Sequence, residues 1–220
     1  MSGNGGMLAV ISGPAGSGKT TLVEELTRAH PESVRRAVTA TTRLPRPGEI
    51  DGRDYHFLSR GKFEQMLSEG DFLEYNVFNG NYYGTPRQAL LDDLARGGIV
   101  ILVIDVNGAG AVRRFFPDAP YIFVIPPTPG ELRRRLERRG TETAEDVGKR
   151  VSIAEREIDS LPKYDFLVVN AIVADAVRDI EAILRAFGSL RITGGEAEKW
   201  RAGKYAKKDR QADPQAFRTS

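Results

Sequence analysis

Hydrophobic positions in this chain follow two patterns. Short runs that are apolar at nearly every position occur at 7–12, 99–104, 121–125 and 166–169. A strand with one wet face alternates apolar and polar side chains, whereas a strand covered on both faces need not. These runs therefore predict a parallel sheet with helices on each side. Residues 34–39 could form one more strand. Elsewhere the apolar spacing is helical: Leu22, Leu26 and Ala29 recur on one face of 20–29, and Val177, Ile180, Ile183 and Leu184 on one face of 173–187.

Helix starts can be read from capping chemistry. Thr85-Pro-Arg-Gln88 offers a cap hydroxyl, proline at the first helical position and glutamine at the third, and Gly97-Gly98 ends that helix. Thr128-Pro-Gly-Glu131 repeats the device before an arginine-rich helix, and Thr143-Ala-Glu-Asp146 starts another that runs to about Ser160, before Pro162. Strands alternating with helices predict one α/β domain over 7–187. Two stretches break the rhythm. Residues 41–85, rich in Gly, Tyr and Phe, read as an inserted lobe, and 139–156, dominated by charge and small side chains, as a mobile cover; the core is then 7–40, 86–138 and 157–187. Residues 191–220 lack apolar periodicity and are expected to be a basic, disordered tail.

Composition narrows the chemistry. Of 220 residues none is Cys and two are His, which excludes disulfides, thiol catalysis and a histidine-rich metal centre. His30 and His56 read as surface or fold-supporting residues. The net charge of +2 resides in the tail: 191–220 holds eight Lys or Arg against four Asp or Glu, a net of +4, which leaves −2 for the rest. No specific nucleic-acid target is expected from so small a balance. The longest aliphatic run, Ile99-Val-Ile-Leu-Val-Ile104, is far too short to cross a membrane, and the first residues lack a secretory pattern. A cytoplasmic protein is expected.

The segment Gly13-Pro-Ala-Gly-Ser-Gly-Lys-Thr20 fits G-x-x-x-x-G-K-[ST] at every fixed position, between an apolar strand and an amphipathic helix. Glycines let the backbone turn its amide hydrogens toward an anion, Lys19 reaches the β- and γ-phosphates, and the Thr20 hydroxyl can bind Mg²⁺. Gly13, Pro14, Ala15, Gly16, Ser17, Gly18, Lys19, Thr20 and Thr21 are accordingly the expected site for ATP with its magnesium. Many phosphotransferases and hydrolases share this loop, so the acceptor must be read elsewhere.

Further motifs follow the phosphate loop: Thr41-Thr-Arg-Leu-Pro-Arg-Pro-Gly-Glu49, Gly52-Arg-Asp-Tyr55, Phe72-Leu-Glu-Tyr75 and Gly80-Asn-Tyr-Tyr-Gly-Thr85. They continue through Ile104-Asp-Val-Asn-Gly108, Pro126-Pro127, Arg135-Leu-Glu-Arg-Arg-Gly-Thr141 and Val168-Val-Asn170. In the order and spacing of these motifs across 7–187 the chain resembles the guanylate kinase family. The resemblance implies transfer of the γ-phosphoryl of ATP to GMP (and to dGMP), giving ADP and GDP. It implies a P-loop NTPase-type parallel sheet flanked by helices, with 41–85 as a GMP-binding lobe and 139–156 as a helical lid. Arg43, Arg46, Tyr55 and Tyr83 would surround the GMP phosphate. Glu74 would meet the guanine edge with Thr39 and Thr85 as supporting hydroxyls, and Asp105 would lie near the guanine and the metal side. Arg135, Arg139 and Arg150 would gather round the phosphates on lid closure, with Asn170 on the ATP side. Lys19, Arg43 and these three arginines are the expected catalytic set. Whether the chain is a monomer or a small homo-oligomer stays open.

The residue types suit these roles. Guanidinium forks match phosphate oxygens, and tyrosine hydroxyls add directed donors. Guanine N1–H and N2–H₂ both donate, so one carboxylate can accept both, whereas adenine would leave it poorly paired. An ionised acceptor phosphate is its own nucleophile, so no general base or covalent protein intermediate is required. Departures from the family pattern are Thr39 for a serine, Val103 for an acidic residue, Asn107 for a glutamine, and Ala171 after Asn170. Three other readings remain open: a non-catalytic guanylate-kinase-like module that binds phosphorylated protein partners, which the intact Lys19 and Thr20 oppose; a related kinase with another acceptor, which Glu74 opposes; and a nucleic-acid-binding role for the basic tail, which could coexist with kinase activity.

Overall fold

The computed structural model describes residues 5–137 and 144–190. They lie in the compact unit Asn4–Ser189, apart from Leu190 at the end of the last helix. The expected tail, the cap at Thr143 and Arg139 lie outside the described residues.

Five parallel strands form the core sheet: β1 (Met7–Ser12), β2 (Val34–Arg36), β7 (Ile99–Val103), β8 (Tyr121–Ile125) and β9 (Phe166–Val169), in the order β2-β7-β1-β8-β9. Alternate side chains of these strands feed two separate apolar layers. Ala9, Ile11, Ile101, Ile122 and Val124 pack with Leu22, Val23 and Leu26 of α1 (Lys19–Ala29) and with Ala176, Ile180 and Leu184 of α7 (Val173–Leu190). Leu8, Val10, Val100, Leu102 and Tyr121 pack on the other face with Leu90 of α3 (Arg87–Ala95) and with Ala109 and Val112 of α4 (Val106–Arg113). Cover on both faces is why these strands carry unbroken apolar runs. The last strand departs from the expectation: β9 is an edge strand, and Leu167 and Val169 on one of its faces are exposed. In α1 the buried face is Leu22, Val23 and Leu26, while Ala29 is exposed. His30, just past α1, bonds Glu181 of α7 at 2.7 Å and so ties two helices together.

The insertion is a second sheet of mixed direction, ordered β4-β3-β6-β5, from β3 (Ala40–Thr41), β4 (His56–Phe57), β5 (Phe72–Phe78) and β6 (Asn81–Pro86). Helix α2 (Arg60–Glu69) covers it through Phe63, which is buried and stacks on Phe72 at 4.2 Å and on Tyr82 at 5.0 Å between ring centroids. Asn79 (φ 50°) and Gly80 (φ 76°) make the two-residue turn joining β5 to β6, the left-handed pair that matches hairpin twist.

Two local expectations need correction. The strand expected over 34–39 ends at Arg36; the Ala37 amide still donates to Ile101, but the Thr39 carbonyl already accepts from His56 and the chain passes into the lobe sheet. Thr85 does not cap α3, because β6 runs through it and Pro86 holds the cap position without a side-chain bond. A buried carboxylate takes the Thr85 hydroxyl instead, a charge-assisted bond stronger than an exposed cap. Thr128 does cap α5 (Pro129–Glu137), accepting from the Glu131 amide at 3.1 Å. Helix α6 (Ala144–Ile158) then packs Val151 and Ala154 against Leu132, Leu136 and Ala15. A short 3₁₀ turn, Leu161–Lys163, leads to β9. No described helix is long and apolar enough to cross a membrane.

Candidate active site

The phosphate loop follows β1, the strand where the chain's direction of travel across the sheet reverses, and ligands of open α/β sheets gather at such a point. Gly13 (φ 136°) passes so close to β8 that a Cβ there would lie 2.1 Å from the Val124 carbonyl oxygen. Gly18 (φ 93°) begins α1, and its Cβ would lie 2.2 Å from Asn170 Nδ2. Both positions demand glycine by conformation and by space. The Lys19 ammonium donates to the carbonyls of Gly13 at 2.5 Å and Pro14 at 3.0 Å, which holds the loop curled.

Asn170 and Arg135 brace the loop from behind. The buried Asn170 amide donates from Nδ2 to the Ser17 carbonyl at 2.8 Å. Arg135 donates to the carbonyls of Asn170 (2.9 Å) and Ser17 (3.4 Å) and is held by Glu131 at 2.7 Å. Ser17 Oγ and Asn170 Oδ1 are buried without a hydrogen-bond partner among the described residues. Arg150 lies on α6, and Arg139 falls outside the described residues.

A cleft of about 410 Å³ separates this loop from the lobe, lined by Ala15, Gly16, Gly18, Lys19, Thr20 and Thr21 on one side and by Arg46, Glu49, Asp54 and Tyr55 on the other, with Arg36. On the lobe wall Arg43 is gripped by Glu49 through two bonds of 2.8 and 2.9 Å, and Glu49 also accepts from the Arg46 amide at 2.6 Å. The hydrogen bonds from Arg43 hold the Glu49 carboxyl below the usual glutamate range, and Glu49 in turn raises Arg43. The Arg43 guanidinium lies over Tyr55 and Phe57, 5.4 and 5.7 Å from their ring centroids, and Tyr83 meets Tyr55 edge-on at 6.3 Å. A carboxylate thus occupies the fork expected to take a phosphate.

Farther into the lobe, Glu74 on β5 is 9% exposed and accepts from the Thr85 hydroxyl at 2.6 Å. Burial raises its pKa to about 7; Thr85 opposes the rise and the nearby Asp105 adds to it. Asp105 caps α4, accepting from the Gly108 amide at 2.8 Å with one oxygen and from Asn76 at 2.6 Å with the other. The lobe strand is thereby tied to the core helix. Thr39 is buried at the junction of the two sheets.

Sequence reasoning missed Glu49, Asn76, Gly108, Arg36 and Glu157. Glu49 was visible only as the end of a motif, and Asn76 and Arg36 stand in no pattern that singles them out. Gly108 follows Asp105 at cap spacing, a signal that could have located both α4 and the close approach. Glu157, on the last turn of α6, lies near Lys19 and Asp105; burial pushes its carboxyl up, Lys19 pulls it down and Asp105 adds to the rise.

A Cβ on Gly108 would lie 2.7 Å from Glu74 Oε2. Gly108→Ala should therefore displace the carboxylate while helix propensity offsets part of any stability loss. Steady-state kinetics should show the KM of the substrate held in the lobe raised about tenfold, with the KM of the substrate on the phosphate loop within about twofold, since a displaced carboxylate loses its hydrogen bonds to a ligand.

No group of three or more His, Asp or Glu side chains among the described residues is placed to hold a metal ion. Magnesium arriving with a triphosphate keeps several waters and takes one or two protein oxygens, and the Thr20 hydroxyl at the cleft fits that need.

A phosphate loop at the switch point of a parallel sheet, facing an inserted lobe with its own polar site, places the chain among the P-loop nucleotide-binding proteins that carry a second substrate site. The comparisons make this specific. The family model for guanylate kinase matches residues 6–187. The guanylate kinase of Desulfitobacterium hafniense is 46% identical over 186 residues, covering 84% of this chain and 92% of the relative. That of Trichormus variabilis is 44% identical over 179 residues, covering 81% and 89%. The crystal structure of guanylate kinase from Anaplasma phagocytophilum matches with a TM-score of 0.72 at 31% identity, covering 90% of this chain and 95% of that one. This chain belongs to the guanylate kinase family.

Proposed function

We propose that the cleft between the phosphate loop and the lobe is where this guanylate kinase brings its two substrates into line. The chain is an enzyme, an ATP:GMP phosphotransferase that converts ATP and GMP to ADP and GDP. The observation that carries the site assignment is Glu74, a carboxylate buried in the lobe and held by the Thr85 hydroxyl.

In this reading residues 13–21 hold the triphosphate, with Asn170 and Arg135 keeping the loop in shape. Lys19 neutralises charge on the β- and γ-phosphates. Thr20 supplies one oxygen to magnesium, which when bound draws electron density from the phosphate oxygens. The lobe, 41–85, takes GMP together with two core groups beside it: Arg43, Arg46, Tyr55 and Tyr83 hold its phosphate, and Glu74 and Thr85, with Thr39 and Asp105 from the core, its base. The phosphate dianion competes with Glu49 for the Arg43 fork. Contacts to the base and the phosphate are common to GMP and dGMP, so dGMP serves as an acceptor as well. Residues 139–156 act as a lid that brings Arg139 and Arg150 to the transferring group, while Arg135 holds the loop carbonyls it braces. The enzyme works in the cytoplasm.

The chemical step follows from alignment. An oxygen of the ionised GMP phosphate attacks the γ-phosphorus as the bond to the β–γ bridging oxygen breaks, and ADP departs with that electron pair. The nucleophile has no proton to lose, and the arginines and Lys19 stabilise charge as it moves toward ADP. Acid quench after incubation with γ-labelled ATP tests this directly. With GMP the label should appear in GDP and in no protein band; labelled protein in the absence of GMP would refute direct transfer.

A further inference from the structure

Arg35 and Arg36 are neighbours at the end of β2, and strand alternation sends them to opposite faces of the sheet. Arg35 turns to the end of α3, where it donates to the carbonyls of Asp93 at 2.8 Å and Gly97 at 2.6 Å. Its work is structural. Arg36 turns to the other face, where it lines the cleft beside Lys19, Thr20 and Thr21. Its guanidinium lies 5.6 Å from the centroid of the Tyr55 ring and donates to the Asp54 carbonyl at 3.2 Å.

The segment it grips is a tight turn. The Gly52 amide donates to the Tyr55 carbonyl at 2.8 Å, the Ile50 amide donates to the Asp54 carboxylate at 2.8 Å, and Asp54 pairs with Arg53. Internal bonds fix the shape of this turn, and the His56 amide, bonded to the Thr39 carbonyl, ties its end to the lobe sheet. Arg36 adds a tie to the core sheet, because its backbone belongs to a core strand and its side chain ends on Tyr55 and Asp54. Two guanidiniums, those of Arg36 and Arg43, share the Tyr55 ring at 5.6 and 5.4 Å and hold it from two sides.

We infer that Arg36 is a positioning residue for the acceptor phosphate, anchoring Tyr55 to the core sheet so that its hydroxyl faces the GMP phosphate across from the phosphate loop. The inference rests on the reading of Tyr55 as a ligand of that phosphate. It assigns Arg36 a role in acceptor binding that is separate from the capping role of Arg35.

A double-mutant cycle in steady-state kinetics on the full chain tests it. Tyr55→Phe keeps the ring and removes the hydroxyl, and should raise the GMP KM about tenfold. Arg36→Ala should raise the GMP KM about five- to tenfold with the ATP KM within about twofold, and should add less than about twofold in the Tyr55→Phe background, because side chains acting through one hydroxyl are not additive. Arg36→Gln, which keeps a polar aliphatic stem but is too short to reach the Asp54 carbonyl and brings no charge to the Tyr55 ring, carries the same expectation and guards against a folding defect in the alanine variant. Effects that multiply in the double variant would overturn the inference, as would an Arg36→Ala enzyme with unchanged GMP KM where Tyr55→Phe is impaired; the acceptor-site reading would survive both. A silent Tyr55→Phe would overturn that reading and the inference with it.

Discussion

Replacing Lys19 by alanine is expected to lower kcat by about a thousandfold or more, about 4 kcal/mol of transition-state stabilisation. The side chain does two things that no neighbour duplicates. It brings a positive charge to the phosphates, and it ties the loop through the Gly13 and Pro14 carbonyls. Loss of the second role should also weaken ATP. Affinity for GMP, read by calorimetry, should stay within about threefold, because the lobe groups assigned to GMP make no use of Lys19. Lys19→Arg should not restore turnover, since a planar fork does not replace a compact ammonium among loop carbonyls. A variant that lost GMP affinity in proportion to turnover would mean the two substrate sites are wrongly separated.

The second large effect is expected at Glu74. Glu74→Gln leaves one acceptor oxygen where guanine offers two donors, and sets an amide donor against them. A drop of roughly 10²–10³ in kcat/KM for GMP is expected, confined to guanine acceptors. The same variant should be more stable without substrates. The folded-state pKa of about 7 stands above the ordinary 4.5, so folding an ionised Glu74 is penalised. That penalty is absent below the unfolded value, grows between 4.5 and about 7, and is complete above, where it is on the order of 3 kcal/mol. Thermal unfolding at pH 8 should therefore place Glu74→Gln several degrees above the parent, and the gain should shrink toward pH 5. Substrate binding has the opposite sign. GMP needs the ionised carboxylate, so its KM should rise about tenfold per unit as pH falls below 7. The glutamine variant should show only the shallower change from protonation of the GMP phosphate itself, whose second pKa is near ~6.

Much of the core was legible because its physics is repetitive. Runs such as Ile99 to Val103 are apolar throughout since both faces of β7 are covered, and the phosphate loop is recognisable because a backbone anion site admits few residues. The lobe was legible only as an interruption. Its strands are short, its first strand follows a core strand after three residues, and the Asn79-Gly80 hairpin signal went unread inside a tyrosine-rich stretch. Thr85 shows how local rules lose to tertiary demand: a good cap residue by sequence, it serves Glu74, eleven positions away, because an isolated buried carboxylate costs more than an uncapped helix. Helix α4 was missed since Val-Asn-Gly-Ala-Gly-Ala-Val-Arg has weak propensity, and the Asp105 cap with packing on β5 and β1 makes it helical. The pairing of Arg43 with Glu49 could not be read from spacing along a loop. Arg36 was invisible for a related reason, because its importance comes from which face of β2 it occupies.

The central claim is that the cleft accepts phosphoryl from ATP onto a guanine nucleotide selected by Glu74. It is tested most directly by measuring ADP release from ATP with GMP, dGMP, AMP, CMP and UMP in parallel. The account predicts turnover with GMP and dGMP and rates at or below about 10⁻⁴ of these with the other three. Comparable turnover with AMP, or none with GMP, would contradict it.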